Sequence, residues 1–233
     1  MNRCLLFFFT ILQLVPCHSP GKLPADSITI DPFQYTIQKK LVCENGAVVS
    51  AHSLASQVGV EILKQGGNAV DAAIATQLAL AVVHPSAGNL GGGGFMVARL
   101  QDGNLLALDY REMAPGLSHR DMYIEKDGKA NTVKSQYGHL SSGVPGSVAG
   151  LFASARYARL PIKKLIQPAI DLAEKGFVIS LREANSLNSL QNDFKKYNTI
   201  MPVFVKPDLW EAGDTLIQTD LANTLKKIRD KGG

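Results

Sequence analysis

Residues 68–112 read NAVDAAIATQLALAVVHPSAGNLGGGGFMVARLQDGNLLALDYRE, and the first part of this run limits what the chain can become. Over residues 70–83 only Asp71, Thr76 and Gln77 are plainly polar. A helix with no charged face is stable only when most of its sides are covered, so the segment predicts the middle of a layered core. Asn68 offers a side-chain cap and Asp71, three positions on, an acidic first turn, while Gly66 and Gly67 close the helix before it. Pro85 forbids continuation, and Gly91, Gly92, Gly93 and Gly94 follow.

Glycine lacks Cβ, so such a loop can take positive φ or admit a close neighbour. A phosphate cradle would need the glycines to open a helix; here a helix precedes them and the strand-like GFMVARL follows, which favours a tight crossover from helix to strand. Residues 95–100 and 105–110 are apolar runs of strand length around Gln101-Asp102-Gly103-Asn104, whose Asp-Gly pair suits a hairpin turn. The hairpin ends at Asp109-Tyr110-Arg111-Glu112, where a strand from the core meets a loop. A guanidinium there could grip a carboxylate through two parallel hydrogen bonds; it could equally pair with Glu112 on a solvated rim.

GGNAVDAAIATQLALAVVHP, the GGGGF run and DYREMAPG, in this order, resemble the γ-glutamyltranspeptidase family, also called glutathione hydrolases. The resemblance extends over residues 41–233 and takes in GHLSSGVPGSVAGL, LIQPAIDLAEKGFVIS and GDTLIQTDLANTLKKIRDKGG. It implies an α+β fold, the four-layer αββα sandwich of the N-terminal-nucleophile hydrolases, of which this chain is a helix-rich, partial, large-subunit portion. It implies that Arg111, which matches the arginine of the family's R-E-x-A-P motif, binds the α-carboxylate of a γ-glutamyl substrate. The implied substrates are glutathione and other γ-glutamyl compounds, with amino acids, peptides or water as acceptors. A cephalosporin-acylase-like amidase is the related alternative, against which DYREMAPG speaks.

The family's members are more than twice this long and cut themselves into two subunits, the new N-terminal threonine of the second being the nucleophile. Thr199, Thr215, Thr219 and Thr224 stand in no context resembling that processing site, and most look like turn or cap residues. No catalytic residue is therefore assigned to this chain, and the nucleophile is expected beyond Gly233. Two readings follow. Either the chain is part of a proenzyme that is completed by a small subunit from the same precursor, or it is a non-catalytic truncated relative that binds γ-glutamyl compounds or pairs with a full-length one.

Residues 1–19 read as a signal peptide, with Arg3 ahead of an apolar run too short to span a membrane. Ser19 suits the cleavage site except that Pro20 follows it, and Leu14-Val15-Pro16-Cys17 only faintly matches a lipoprotein box. Secretion or a periplasmic location follows from this reading, with residues 20–40 an extended segment. Cys43 is then left without an internal partner. The five histidines form no metal-ligating spacing, and no metal or cofactor is expected. With 45% hydrophobic residues, 19% charged and a net charge of +4, the composition is that of a folded protein. Its lysine pairs are isolated, which argues against nucleic acid as a partner.

Elsewhere the spacing predicts a strand over residues 47–51, a helix capped by Ser53 and running to Lys64, and short irregular pieces over residues 118–137 with a turn at Asp127-Gly128. A helix should begin near Ser147 with Val148, Leu151, Phe152 and Ala155 inward. Pro161 and Pro168 should each open a short helix, the second ending at Gly176. Ser180 and Glu183 form a capping box for a helix to about Lys196, and a last helix should run from Thr219 or Asp220 to Lys231.

Overall fold

The computed structural model describes residues 42–232. The signal-peptide reading and the extended segment, residues 1–40, lie outside the described residues. Eight α-helices and two short antiparallel sheets are present among the described residues.

The all-apolar segment is helix α2, Ala69–Val83, and only Ala69, Ala73, Gln77 and Leu80 escape full burial. Its start is a complete capping box: Asn68 Oδ1 accepts from the Val70 and Asp71 N–H groups, and Asp71 accepts from Asn68 N. Helix α1, Ser53–Lys64, packs along α2, with Gly59 so close that a Cβ there would run into the Thr76 hydroxyl. The cap of α1 is not Ser53 but His52, whose Nδ1 accepts from Leu54 N at 3.2 Å. Nor do residues 47–51 form a strand; they have no strand to pair with among the described residues and are largely exposed.

The hairpin is strands β1, Phe95–Arg99, and β2, Leu105–Asp109, with Phe95 opposite Asp109 and Arg99 opposite Leu105. Gly103, at φ 86°, supplies the turn. The strands alternate: Met96, Ala98, Leu106 and Leu108 are half-buried, while Phe95, Val97 and Leu105 are exposed on the other face. Between the hairpin and the next long helix lie a short helix α3, Thr132–Gln136, and a 3-10 turn, His139–Ser141.

Helix α4, Ser147–Ala155, begins where expected, but its inward face is partly different. Leu151 is buried as predicted, whereas Val148, Phe152 and Ala155 are only half-buried and the small Ser147, Gly150 and Ser154 take the tight contact. Residues 162–175 form one helix, α5, Ile162–Lys175, not two. Pro161 is its cap and Pro168 lies inside it. Leu165, Ile166, Ala169, Ile170 and Ala173 are all buried, and a break at Pro168 would divide that stripe; continuous burial outweighs the hydrogen bond the proline cannot make.

Strand β3, Phe177–Val178, pairs with β4, Thr215–Leu216. Helix α6, Leu181–Ser189, starts on the Ser180–Glu183 box but stops at Leu190, and α7, Gln191–Tyr197, continues separately. The predicted single helix is broken beside side chains turned to another segment: Asn188 bonds both backbone groups of Trp210, and Gln191 Nε2 donates to Phe204 O. Helix α8, Thr219–Lys231, packs on α5 and stops at Gly232. The residue before it, Gln218, spends its side chain on Val82 O, tying this helix to the end of α2. No helix among the described residues is long and apolar enough to cross a membrane.

Candidate functional site

Arg111 follows β2 directly, on a segment held from two sides. On one side Tyr110 N donates to Gly94 O at 3.0 Å and Gly94 N to Tyr110 O at 3.4 Å. On the other, Met113 and Val144 exchange both backbone bonds, at 3.1 and 2.8 Å. The flanking pieces are joined in turn, because Gly92 O accepts from Gly146 N at 2.9 Å and Ser147 N at 3.0 Å. The start of α4, the glycine loop and the end of the hairpin therefore form one hydrogen-bonded unit, and Arg111 sits in its central piece.

Two of the four glycines, Gly93 and Gly94, are used for proximity, while a Cβ on Gly91 or Gly92 would meet only Asn89 Oδ1 at 3.5 Å. Positive φ occurs at none of the four. A Cβ on Gly93 would lie 2.7 Å from Arg111 C, and one on Gly94 2.8 Å from Tyr110 Cε2. A Cβ on Gly146 would lie 2.8 Å from Tyr110 C. Such separations leave no room for a side chain, so the loop and the start of α4 can approach this segment only as glycine.

Arg111 itself is exposed. Its N–H donates to Asp109 Oδ1 at 3.0 Å, which keeps that carboxylate occupied with backbone. Its guanidinium takes part in no salt bridge among the described residues, so the Glu112 rim pair that the sequence also allowed is not formed. The neighbouring Tyr110 hydroxyl donates to Gln77 Oε1 at 3.3 Å; burial raises the phenol pKa, against the opposing pull of that bond, and the group stays a neutral donor.

A second polar arrangement, which the sequence reading missed, borders a separate cleft of about 1150 Å³ lined by His52, His84, Ser180 and Glu183. Because His52 Nδ1 accepts from Leu54 N, the ring proton is on Nε2, which donates to Glu183 Oε1 at 3.1 Å. Burial pushes the Glu183 carboxyl up, but bonds from the Ser180 N–H and hydroxyl, with His52 beside it, leave it below its ordinary value. Both His52 nitrogens are used, so the pair fastens two helix starts together and offers no free base. The capping box was the signal for Glu183; nothing local pointed to His52, 131 positions away.

Of the threonines, Thr215 lies on β4 and Thr219 opens α8, while Thr224 sits within α8 and donates its hydroxyl to Asp220 O at 2.9 Å. No group of three or more His, Cys, Asp or Glu is placed to hold a metal among the described residues.

The sequence profile described as gamma-glutamyltranspeptidase matches residues 55–233. The glutathione hydrolase proenzyme of Escherichia coli is 42% identical over 215 residues, which are 86% of this chain and 36% of the relative. The chain thus spans about a third of the length of that relative. Among solved structures, the γ-glutamyltranspeptidase of Helicobacter pylori superposes with a TM-score of 0.79 at 43% identity, over 83% of this chain and 56% of the other. A cephalosporin acylase from Bacillus halodurans superposes with a TM-score of 0.69 at 27% identity, over 92% of this chain and 39% of the other. The helix-rich α+β arrangement around α2 is therefore part of the N-terminal-nucleophile hydrolase fold, and the chain belongs to the γ-glutamyltranspeptidase family.

Proposed function

We propose that this chain is the N-terminal portion of a γ-glutamyltranspeptidase or glutathione hydrolase proenzyme, and that its part in the reaction is to orient the γ-glutamyl donor through Arg111. The observation that carries the proposal is the seat of Arg111: a backbone fixed by two neighbouring segments beneath an exposed guanidinium with no ion pair among the described residues. A donor α-carboxylate is planar, with two oxygens, and a guanidinium meets it with two charge-assisted hydrogen bonds. The acyl group then passes to a threonine on the second, small subunit of the same precursor, and from there to water or an amino-acid acceptor. That nucleophile lies outside this chain. Glutathione and related γ-glutamyl amides are the donors in this reading.

Replacing Arg111 by alanine in the full-length precursor separates this role from folding. Loss of the partner of a desolvated carboxylate costs about 2 to 5 kcal/mol, so donor kcat/KM should fall at least about thirtyfold while self-cleavage, followed on a gel, proceeds. A change of less than about threefold would reduce Arg111 to a surface cation. Export completes the proposal: mass spectrometry of secreted material should find the chain starting after residues 1–19, and recovery of Met1 on that material would count against it.

A further inference from the structure

A bidentate grip is useful only when the guanidinium arrives in the right plane, and nothing among the described residues holds the tip of the Arg111 side chain by an ion pair. What the structure fixes is its base, where the Arg111 N–H donates to Asp109 Oδ1. The residue before Arg111 is unusually confined. A Cβ on Gly150 of α4 would lie 2.6 Å from Tyr110 Cδ1, and one on Gly94 of the loop 2.8 Å from Tyr110 Cε2. The Tyr110 carbonyl carbon is approached as closely by Gly146. The hydroxyl reaches Gln77 Oε1 on α2 and, at 3.5 Å, Phe95 O on β1. One ring thus touches the buried central helix, the glycine loop, the first strand and α4. The ring fixes the Tyr110 Cα, and the peptide that leads on to Arg111 is held at both ends, the Tyr110 carbonyl accepting from Gly94 N at 3.4 Å and the Arg111 N–H donating to Asp109 Oδ1 at 3.0 Å.

We propose that Tyr110, seated against Gly94 and Gly150, is a positioning residue for Arg111: the ring fixes the direction in which the guanidinium leaves the backbone, and so the affinity for a donor carboxylate. This inference rests on the reading of Arg111 as the carboxylate grip. The bond to Gln77 is long, so the shape of the ring carries the effect rather than its hydroxyl.

The test compares donor KM and kcat in the processed, full-length enzyme for Arg111→Ala, Tyr110→Phe, Tyr110→Ala and Gly150→Ala. Tyr110→Phe keeps the ring and should hold KM within about threefold. Tyr110→Ala removes the ring, and Gly150→Ala drives a methyl into it; each should raise donor KM at least about tenfold with a smaller change in kcat. In an Arg111→Ala background Gly150→Ala should add less than about twofold to KM, because the group it disturbs is already gone. A general loss of structure would instead lower kcat alike in both backgrounds. If Arg111→Ala raises KM but Tyr110→Ala and Gly150→Ala do not, the positioning role is overturned and the Arg111 reading stands. If Arg111→Ala itself leaves KM unchanged, the Arg111 reading fails first. Failure of both Tyr110→Ala and Gly150→Ala to yield processed soluble enzyme would also overturn the inference, by assigning the ring to the fold alone.

Discussion

Asp71 is fully buried, and its carboxylate accepts from three backbone N–H groups: Asn68 at 2.7 Å, Arg159 at 3.0 and 3.1 Å, and Leu160 at 2.9 Å. The spacing from Asn68 to Asp71 announced the local half of this arrangement. The other half comes from residues 88 and 89 positions away, which no local pattern encodes. Removing the acceptor strands those donors, so Asp71→Ala should destabilise the fold by at least about 2 kcal/mol, read as a lower midpoint in thermal unfolding. The glycines teach a related lesson. Their number allowed a close neighbour, but only the packed structure shows that it lies at Gly93 and Gly94 and is the segment that carries Arg111. For Arg111, a lysine keeps the charge and loses the fork, so Arg111→Lys should lower donor kcat/KM at least about tenfold, measured in the full-length precursor.

Helices were readable where their ends carry chemical punctuation and misread where burial decides. The starts of α2 and α6 follow from their capping boxes, and the ends of α5 and α8 from Gly176 and Gly232, at φ 77° and 90°. Helix α5 was divided at Pro168 because a proline interrupts the hydrogen-bond ladder, and the sequence does not say that the stripe on both sides is covered by α2 and α8. Pro168→Ala restores an N–H to that ladder and should raise the unfolding midpoint, by about 1 to 3 kcal/mol of stability. A lowered midpoint would show that the proline is held in a kink the fold needs. The helix starts joined by His52 and Glu183 give a pH dependence. The folded-state pKa of Glu183 lies below its ordinary 4.5, so its contribution is present in full above that value and fades as the pH falls through the lower folded value. Glu183→Gln should therefore weaken the fold at neutral pH and flatten the loss of stability below about 4.5. An unchanged acid limb would assign that loss to other carboxylates.

Among the described residues, the hairpin presents an exposed apolar face. Phe95, Val97 and Leu105 are 63%, 82% and 79% exposed on the outer side of the hairpin, and an apolar sheet face of this kind is found in soluble proteins where another layer covers it. The two strands were readable as apolar runs, but with only Arg99 and Asp109 polar the sequence did not show which face stays exposed. Further layers entered only through the resemblance to a four-layer family fold, and this chain spans 36% of its Escherichia coli relative. The helices and the hairpin account for how the backbone at Arg111 is held, and the proposed function puts the bond-breaking group outside this chain. The most direct measurement is release of the chromophore from a γ-glutamyl anilide by the purified 233-residue chain beside the full-length precursor. The account predicts turnover by the processed precursor and none by the chain above a heat-treated control, because orientation without a nucleophile opens no covalent route. Turnover by the chain alone would contradict it.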